Sequence, residues 1–351
     1  MSDIPTICEA RQVTSDRLST RVLFHGPEDG TPVIFVHGNL SAATWWEETM
    51  QRLPEGFRGI APDLRGYGAA EAGAKVDATR GMRDFSDDLV ALMAALDIDK
   101  AHFVGHSMGG AVLWQLLADH PQKALSVTQV CPGAPQGFGG CRLDGTPCAP
   151  DNAGAGGGAV NPELIASMKA GDRSGDSPNT VRSVLNAFVW KPPFVPERME
   201  EILTSSLAQH IGDQDYPGDA TASENWPGIA PGRWGPINAM APIHQADPMG
   251  FLRAAPDVPC LWVRGVDDPV VADGSLFELG TLGAAGAVPG WPGAEDYPPQ
   301  PMISQTEAAL KAYEEKGGRV TRVALEDCGH TPFLEKPRDF DAALHALLTG
   351  A

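Results

Sequence analysis

Ser107 lies in a glycine-flanked segment, GHSMG at residues 105–109, that could present a nucleophile. Small residues two positions before and after a serine allow a sharp turn from a strand into a helix, with the hydroxyl exposed at the turn. Residues 101–104 are apolar like a short buried strand, and residues 111–117 favour an apolar helix. The segment therefore predicts a serine nucleophile, although a serine that only caps a helix would leave the same pattern.

Two later segments supply the partners that such a serine needs. A serine hydroxyl becomes a good nucleophile when a base takes its proton, and a third group must orient that base and stabilise its charge. Asp267 and Asp268 follow an apolar strand pattern at 258–263, and His330 follows another at 319–325. The order serine, aspartate, histidine, each after a strand, is the order that a nucleophile-elbow hydrolase requires.

With these motifs the chain resembles the α/β-hydrolase fold superfamily, in its serine esterase and lactonase branch. The resemblance implies Ser107 as nucleophile and His330 as general base and then acid. It also implies Asp268 as the orienting carboxylate, because the family's aspartate stands immediately before a proline, here Pro269. Asp267 is the competing candidate, interpreted as a solvated turn carboxylate.

The resemblance also implies an oxyanion hole built from two backbone N–H groups. One belongs to Met108, directly after the serine, and the other to Asn39 in the segment HGN at 37–39, which follows a buried strand. His37 is expected to be structural, since one histidine already fills the role of base. Asp63 and Arg65, in a turn that recurs in the family, are expected to fix that loop.

The identity of the residue at the nucleophile turn, Ser107, decides which related reactions are excluded and which stay possible. Haloalkane dehalogenases share the His-Gly-Asn pattern, but they and the epoxide hydrolases need a carboxylate nucleophile where this chain has Ser107. Carbon–carbon bond hydrolases keep the serine triad and stay possible, although the tryptophan that often follows their histidine is Thr331 here. A non-enzymatic ligand receptor that retains the triad is a further alternative.

Composition limits the partners. The 351 residues carry a formal net charge of −19 without clustered Lys or Arg, which disfavours nucleic acids and anionic membranes. The six cysteines show no zinc-type spacing, so we expect no metal and no cofactor. The first eight residues show no secretory signal, so we expect a cytoplasmic protein with free thiols, although Cys141 and Cys148 could pair if it were exported. The sequence leaves the oligomeric state open between a monomer and a homodimer.

The apolar periodicity predicts a mostly parallel sheet covered by helices on both faces. Residues 1–131 and 251–351 are predicted to form the core, and residues 132–250 a largely helical cap; a second glycine- and proline-rich insertion lies at 280–301. Strands are predicted at 18–24, 32–36, 59–61, 101–104, 124–131, 258–263 and 319–325. Helices are predicted at 44–53, 82–96, 111–117, 162–169, 180–189, 196–210, 303–316 and 338–348.

Large apolar side chains in and near the cap are predicted to line a substrate pocket for a hydrophobic group. The alternative is that most of them form the cap's own core. Cys131 and Cys328 are expected to be small packing residues near the site. The predicted pocket residues are Trp45, Trp46, Phe138, Trp190, Trp226, Trp234 and Met240.

Overall fold

The computed structural model describes residues 4–254 and 257–350. Residues 1 and 351, the outer limits of the predicted core, lie outside the described residues. The strands are, in chain order, β1 (Glu9–Thr14), β2 (Ser19–His25), β3 (Thr31–Val36), β4 (Phe57–Pro62), β5 (Ala101–His106), β6 (Ala124–Val130), β7 (Ile211–Gly212), β8 (Tyr216–Pro217), β9 (Ala220–Ala222), β10 (Ile229–Pro231), β11 (Cys260–Gly265) and β12 (Val320–Leu325).

An eight-stranded sheet holds the fold together, in the spatial order β1-β2-β4-β3-β5-β6-β11-β12. The strand β2 runs antiparallel to both β1 and β4, and every pair from β4 to β12 is parallel. Parallel neighbours need crossover connections, which here carry helices. The predicted mostly parallel, doubly wound sheet is confirmed.

The helices cover both faces of this sheet. The α-helices are α1 (Glu47–Gln51), α2 (Arg83–Ala95), α3 (Met108–Asp119), α4 (Pro162–Ala170), α5 (Val181–Val184), α6 (Met199–Leu207), α7 (Pro236–Ala239), α8 (Phe251–Ala254), α9 (Leu279–Ala284), α10 (Met302–Glu315), α11 (Pro332–Glu335) and α12 (Pro337–Thr349). Short 3₁₀ turns lie at Ala43–Trp46, Ala78–Arg80, Pro121–Lys123, Gly157–Ala159 and Pro242–His244, and a π-helical turn at Leu185–Val189. None of the described helices combines the length and apolarity needed to cross a membrane.

Alternation along the strands divides the core into two layers. In β3, Ile34 and Val36 face one layer, which α2, α3 and α10 cover. Val33 and Phe35 face the other, where α12 packs together with α4 and α6. Successive strand residues point to opposite faces, so a strand buried on both sides reads as a continuous apolar run.

The segment 132–250 lies between β6 and β11 and adds no described strand to the large sheet. Its short strands form two small sheets, β7 with β8 and β9 with β10. These strands were not predicted, because two or three residues are too short to show an alternating apolar pattern. Apolar residues of α4 and α6 pack into the second core layer, so this segment is continuous with the sheet's own core.

Two further elements differ from the predictions. The edge strand β1 was not predicted, because most of its side chains are exposed and it lacks an apolar stripe. No helix was predicted in the insertion at 280–301, yet α9 (Leu279–Ala284) occupies its start. Glu278 caps this helix by accepting hydrogen bonds from the N–H groups of Gly280 (2.7 Å) and Thr281 (2.9 Å).

Candidate active site

Ser107 occupies a strained turn between β5 and α3, with φ 57° and ψ −118°. Glycine is required at positions 105 and 109 because neighbouring backbone atoms leave no room for a Cβ atom. A Cβ on Gly109 would lie 2.2 Å from the carbonyl oxygen of Val36, and one on Gly105 would lie 2.6 Å from that of Gly109. Positive φ at a residue other than glycine costs about 1–3 kcal/mol and is maintained by surrounding contacts. Here the Ser107 carbonyl accepts hydrogen bonds from the N–H groups of Gly110 (2.9 Å) and Gly133 (3.0 Å).

Asp268 and His330 form a buried pair at the ends of β11 and β12. Their Oδ2 and Nδ1 atoms are 2.7 Å apart, and the residues are only 7% and 3% exposed. The other Asp268 oxygen accepts hydrogen bonds from the N–H groups of Val270 (2.8 Å) and Val271 (3.1 Å). With Nδ1 engaged, the His330 ring keeps Nε2 as the nitrogen that can take a proton from a nucleophile.

The neighbouring aspartate is placed differently. Asp267 is exposed, and its carboxylate accepts from the Nζ of Lys191 at 2.9 Å. Lys191 also pairs with Asp327 at 2.7 Å, and these two hydrogen bonds raise the pKa of the Lys191 ammonium. The geometry thus brings Asp268, and not Asp267, against the His330 ring.

His106 links the serine turn to the histidine loop. Its Nε2 donates to the carbonyl oxygen of His330 at 2.8 Å, and the two rings are 4.6 Å apart. Burial, with a contribution from nearby His330, lowers the pKa of His106 well below its ordinary value, so the ring is neutral. In the described part of the chain the Ser107 hydroxyl has no hydrogen-bond partner. Such contacts often tighten only when substrate binds.

Two backbone N–H groups lie next to the serine without a partner among the described residues: those of Asn39 and Met108. The turn around Asn39 approaches Ser107 closely, because a Cβ on Gly38 would lie 2.8 Å from the Ser107 Cβ. Unpartnered N–H groups beside a nucleophile can stabilise negative charge on an attacked carbonyl oxygen.

His37 connects two turns. Its Nδ1 is 2.8 Å from the carbonyl oxygen of Gly38, and its Nε2 accepts from the N–H of Leu64 at 3.0 Å. Burial lowers the pKa of His37 to about 4, so the ring is neutral at pH 7. Its contacts are those of a structural residue.

The turn at 63–68 is fixed by charged side chains. Asp63 accepts from Arg21 Nε at 2.8 Å and from the backbone N–H groups of Ala43 (3.0 Å) and Ala69 (2.9 Å). Arg65 makes two hydrogen bonds to Asp88, at 2.7 and 2.6 Å.

Glu335 contributes to the site and was not predicted. Its Oε2 accepts from the N–H groups of Gly329 (2.7 Å) and Lys191 (2.9 Å), and its Oε1 accepts from both the N–H and the hydroxyl of Thr331 (2.9 Å each). One carboxylate therefore fixes the residues on both sides of His330. The sequence offered a signal for one of these contacts: an acidic residue four positions after a threonine, within a short helix, can bond back to the start of that helix. It offered none for the contact with Lys191, which is distant in sequence.

Two of the predicted pocket tryptophans lie near the histidines. The Trp45 ring is 6.5 Å from the His106 ring and 6.3 Å from the Trp190 ring. Both tryptophans are buried.

A third predicted pocket tryptophan, Trp46, is fully buried, with its ring 4.2 Å from that of Phe333 and 5.2 Å from that of Phe35. Its ring centre also lies 6.4 Å from that of His106, a distance like that of Trp45. Its place in the pocket stays a prediction.

Phe138 and Met240 line a small cleft together with Ala111 and Gly133. The cleft adjoins the backbone of the Ser107 turn, because Gly133 N–H donates to the Ser107 carbonyl and Ala111 is on the first turn of α3.

The described contacts of Trp226 and Trp234 lie elsewhere. The Trp226 ring is 4.7 Å from that of Tyr297 in the second insertion, and its Nε1 donates to the Pro289 carbonyl at 2.8 Å. Trp234 packs under the guanidinium of Arg233, which is 5.2 Å from its ring centre. Neither ring is joined to the serine by a contact in the described chain.

The described cysteines, Cys141 and Cys148 included, are free. Cys131 lies beside the buried pair, with one ligand-type atom from each of Cys131, Asp268 and His330 within 4.8 Å of one another. Burial, followed by the nearby Asp268 charge, raises the pKa of the Cys131 thiol well above its ordinary value, so it stays protonated. A protonated thiol is a poor metal ligand, and the other two groups already bond to each other.

A serine turn after β5 and an acid–histidine pair after β11 and β12 are arranged as the α/β-hydrolase fold places them, and comparison with known proteins shows the same fold. Residues 31–144 match the family model described as the alpha/beta hydrolase fold. In overall structure the chain is similar to an esterase from Rhodococcus sp. ECU1013 (TM-score 0.59, 21% identity, 97% of this chain and 98% of that chain) and to a carboxylesterase from Bacillus subtilis (TM-score 0.58, 15% identity, 99% and 94%).

Among curated relatives, a non-heme chloroperoxidase of Streptomyces lividans is 36% identical over 124 residues, which cover 34% of this chain and 44% of the relative. The chain spans about two fifths of the length of the curated relatives it matches. The chain has the α/β-hydrolase fold. The family match ends at residue 144, before Asp268 and His330.

Proposed function

We propose that this chain is a serine hydrolase that cleaves a carboxylic ester or lactone with a hydrophobic group through an acyl-enzyme intermediate. The observation that carries the proposal is the buried Asp268–His330 pair at 2.7 Å, whose histidine loop is bonded to the residue preceding Ser107. A histidine held in this tautomer by a carboxylate is the base that a serine nucleophile requires.

In the first half-reaction the Ser107 oxygen attacks the carbonyl carbon and its proton passes to His330 Nε2. Asp268 stabilises the imidazolium, and the N–H groups of Asn39 and Met108 donate to the tetrahedral oxyanion. The bond from carbon to the alcohol oxygen then breaks, and His330 gives its proton to that oxygen. The alcohol leaves, and in a lactone it stays attached to the acyl group.

In the second half-reaction His330 takes a proton from water as the water oxygen attacks the acyl carbon. Collapse of the second tetrahedral intermediate breaks the bond to Ser107, whose oxygen recovers the proton, and the carboxylic acid is released. These steps consume only substrate and water, so the reaction needs neither a metal nor a cofactor.

The segment 132–250 is proposed to act as a cap over the core formed by 1–131 and 251–351, because its segment around Val189 contacts the histidine loop. The N–H of His330 donates to the Val189 carbonyl at 3.0 Å. The pocket for the hydrophobic group is proposed to be lined by residues that lie near the histidines or the cleft: Trp45, Trp46, Trp190, Phe138 and Met240.

The test is covalent labelling and turnover with the Ser107→Ala variant. A fluorophosphonate should add once to the wild-type protein, at Ser107 by peptide mass, and Ser107→Ala should lose at least about 10⁴-fold in kcat on an activated aryl ester. Ser206→Ala removes another buried serine hydroxyl, bonded to the Ile202 carbonyl, and should keep both label and activity. Full turnover or labelling of Ser107→Ala would overturn the proposal.

A further inference from the structure

The Asn39 side chain belongs to a residue of the proposed oxyanion hole and contacts Met240, which lines the cleft described above. The Tyr67 hydroxyl donates to Asn39 Oδ1 in a short hydrogen bond. Asn39 Nδ2 points towards Met240 Sδ, 3.8 Å away. The oxygen end of the carboxamide is thus occupied, while the nitrogen end faces a thioether of the cleft wall.

Tyr67 is built to hold this orientation. Its side chain is fully buried and makes an edge contact with His37 at 5.1 Å between ring centres. Burial raises the pKa of Tyr67, so the hydroxyl stays a donor. The same hydroxyl is 3.4 Å from Met108 Sδ, which places one tyrosine against the side chains of both residues whose N–H groups form the proposed hole.

The Asn39 amide group has donor capacity to spare. A carboxamide nitrogen carries two N–H donors, and a thioether sulfur is a weak acceptor. Among the described residues Met240 is the partner recorded for Asn39 Nδ2. Asn39 is partly exposed, so water can accept from this amide in the free protein. A bound substrate that displaces the water without offering an acceptor would leave the donor unpaired, which costs free energy.

Other polar groups of the cleft are already engaged. Gln245 Nε2 donates to the Ala239 carbonyl at 2.6 Å, and Gln115 Nε2 donates to Asp119 at 2.6 Å. Asp247 pairs with Arg253. The remaining lining is apolar and includes Ala111, Ala134, Pro135, Phe138 and Met240.

We propose that the Asn39 side-chain amide binds an oxygen acceptor in the acyl part of the substrate, held in position by Tyr67. The inference rests on the proposed serine hydrolase function. The substrate class is narrowed to esters or lactones whose acyl chain carries an ether, hydroxyl or carbonyl oxygen close to the cleaved carbonyl. A site that hydrogen-bonds such a group discriminates against the analogue that lacks it, because its own donor is then left unpaired.

The experiment compares p-nitrophenyl esters that differ by one oxygen in place of one methylene: methoxyacetate with butanoate, and 3-methoxypropanoate with pentanoate. The ratio of kcat/KM within each pair is divided by the ratio of their alkaline hydrolysis rates, which removes intrinsic reactivity. The wild-type protein should favour the ether ester about tenfold in at least one pair, as one neutral hydrogen bond allows. Asn39→Ala should abolish this preference while keeping the backbone N–H.

Tyr67→Phe leaves Asn39 in place but releases its carboxamide, and should reduce the preference several-fold. It keeps the inference testable if Asn39→Ala fails to fold. The matched control is Tyr297→Phe, which removes another buried tyrosine hydroxyl, bonded to the Ala153 carbonyl at 2.9 Å, and should keep the wild-type ratio.

Two results would overturn the inference while leaving the hydrolase proposal standing. One is an equal loss of kcat/KM on both esters of each pair in Asn39→Ala. The other is a wild-type protein that shows no preference for the ether ester after the correction. Failure of the hydrolase proposal looks different, because the wild-type protein would then turn over none of the four esters and would not take the fluorophosphonate label.

Discussion

The sheet and the 132–250 segment are held together in different ways. The proposed catalytic groups follow β5, β11 and β12, whose backbones pair in continuous parallel ladders. In the 132–250 segment the strands have two or three residues, and single side chains connect them.

Asn238 is the clearest of these connecting side chains. Its Oδ1 accepts from the N–H groups of Gly157 (2.8 Å) and Gly232 (3.1 Å), and its Nδ2 donates to the carbonyls of Asp219 (2.8 Å) and Trp234 (2.7 Å). The sheet is held by continuous ladders of backbone bonds, whereas the short strands of the insertion are also joined by single polar side chains such as Asn238. Substitutions should show the same contrast.

The largest effect is expected at the end of the eight-stranded sheet, from Asp268→Asn. This change keeps the shape but reverses the hydrogen bonding at His330 Nδ1, so the ring takes the wrong tautomer and kcat should fall about 10⁴-fold. The matched control is Asp267→Asn, which removes an exposed ion pair with Lys191 and should change kcat by less than about threefold. Steady-state kinetics on one activated ester decides it; an equal loss in both variants would contradict the assignment.

A smaller effect is expected at the junction of the two regions, from Glu335→Gln. Each carboxylate oxygen of Glu335 now accepts two hydrogen bonds. In the glutamine variant an NH₂ group would replace one of these oxygens and face N–H or O–H donors, so the loop around His330 should shift. A displacement of catalytic groups by about 1 Å costs on the order of 10²-fold, so kcat should fall ten- to a hundredfold with little change in KM.

The exposed Glu326, changed to Gln, is the control for Glu335→Gln and should behave like wild type. The pH profile of kcat/KM separates positioning from general destabilisation, since only a displaced His330 alters the apparent pKa of the base. A Glu335→Gln profile and kcat equal to those of wild type would refute the positioning role.

The smallest effect on chemistry is expected in the insertion, from Asn238→Leu. The four hydrogen bonds to backbone groups are lost, together with one to the Asp219 carboxylate. Each backbone group that is left buried and unsatisfied costs about 1–3 kcal/mol where no relaxation occurs. Amide exchange should accelerate in 150–240 while β3 and β5 stay protected, and KM should rise several-fold with kcat nearly kept. Asn225→Ala, in the same region, removes a single donor to Asp151 (3.1 Å) and is the control; accelerated exchange throughout the sheet would show that the two regions unfold as one.

The same contrast explains which features could be predicted from the sequence. Short-range patterns indicate the Ser107 turn and the strands before Asp268 and His330, because glycine close approach and apolar runs are local properties. The aspartate before a proline likewise distinguishes Asp268 from Asp267. The strand β1 has no such pattern, since one edge and much of its surface face solvent.

Long-range contacts could not be predicted in this way. The partners of Glu335 and Tyr67 lie far from them in sequence, at Lys191 and Asn39, so spacing carries no signal for them. Residue type alone also fails to give the contacts of the tryptophans. Trp45 and Trp46 are adjacent and identical, and their ring centres lie 6.5 and 6.4 Å from that of His106, yet Trp45 packs against Trp190 and Trp46 packs against Phe333. The neighbours of each ring depend on which face of the turn it projects from.

The bond between the His330 N–H and the Val189 carbonyl has a consequence for how substrate is admitted. The stretch around Val189 is also tied to the core through the Lys191 N–H on Glu335. A movement that lifted this edge of the insertion would disconnect the loop that carries the proposed base. Substrate entry is compatible with catalysis if the insertion stays docked along this edge and opens elsewhere. The proposed base then stays aligned while substrate and product exchange.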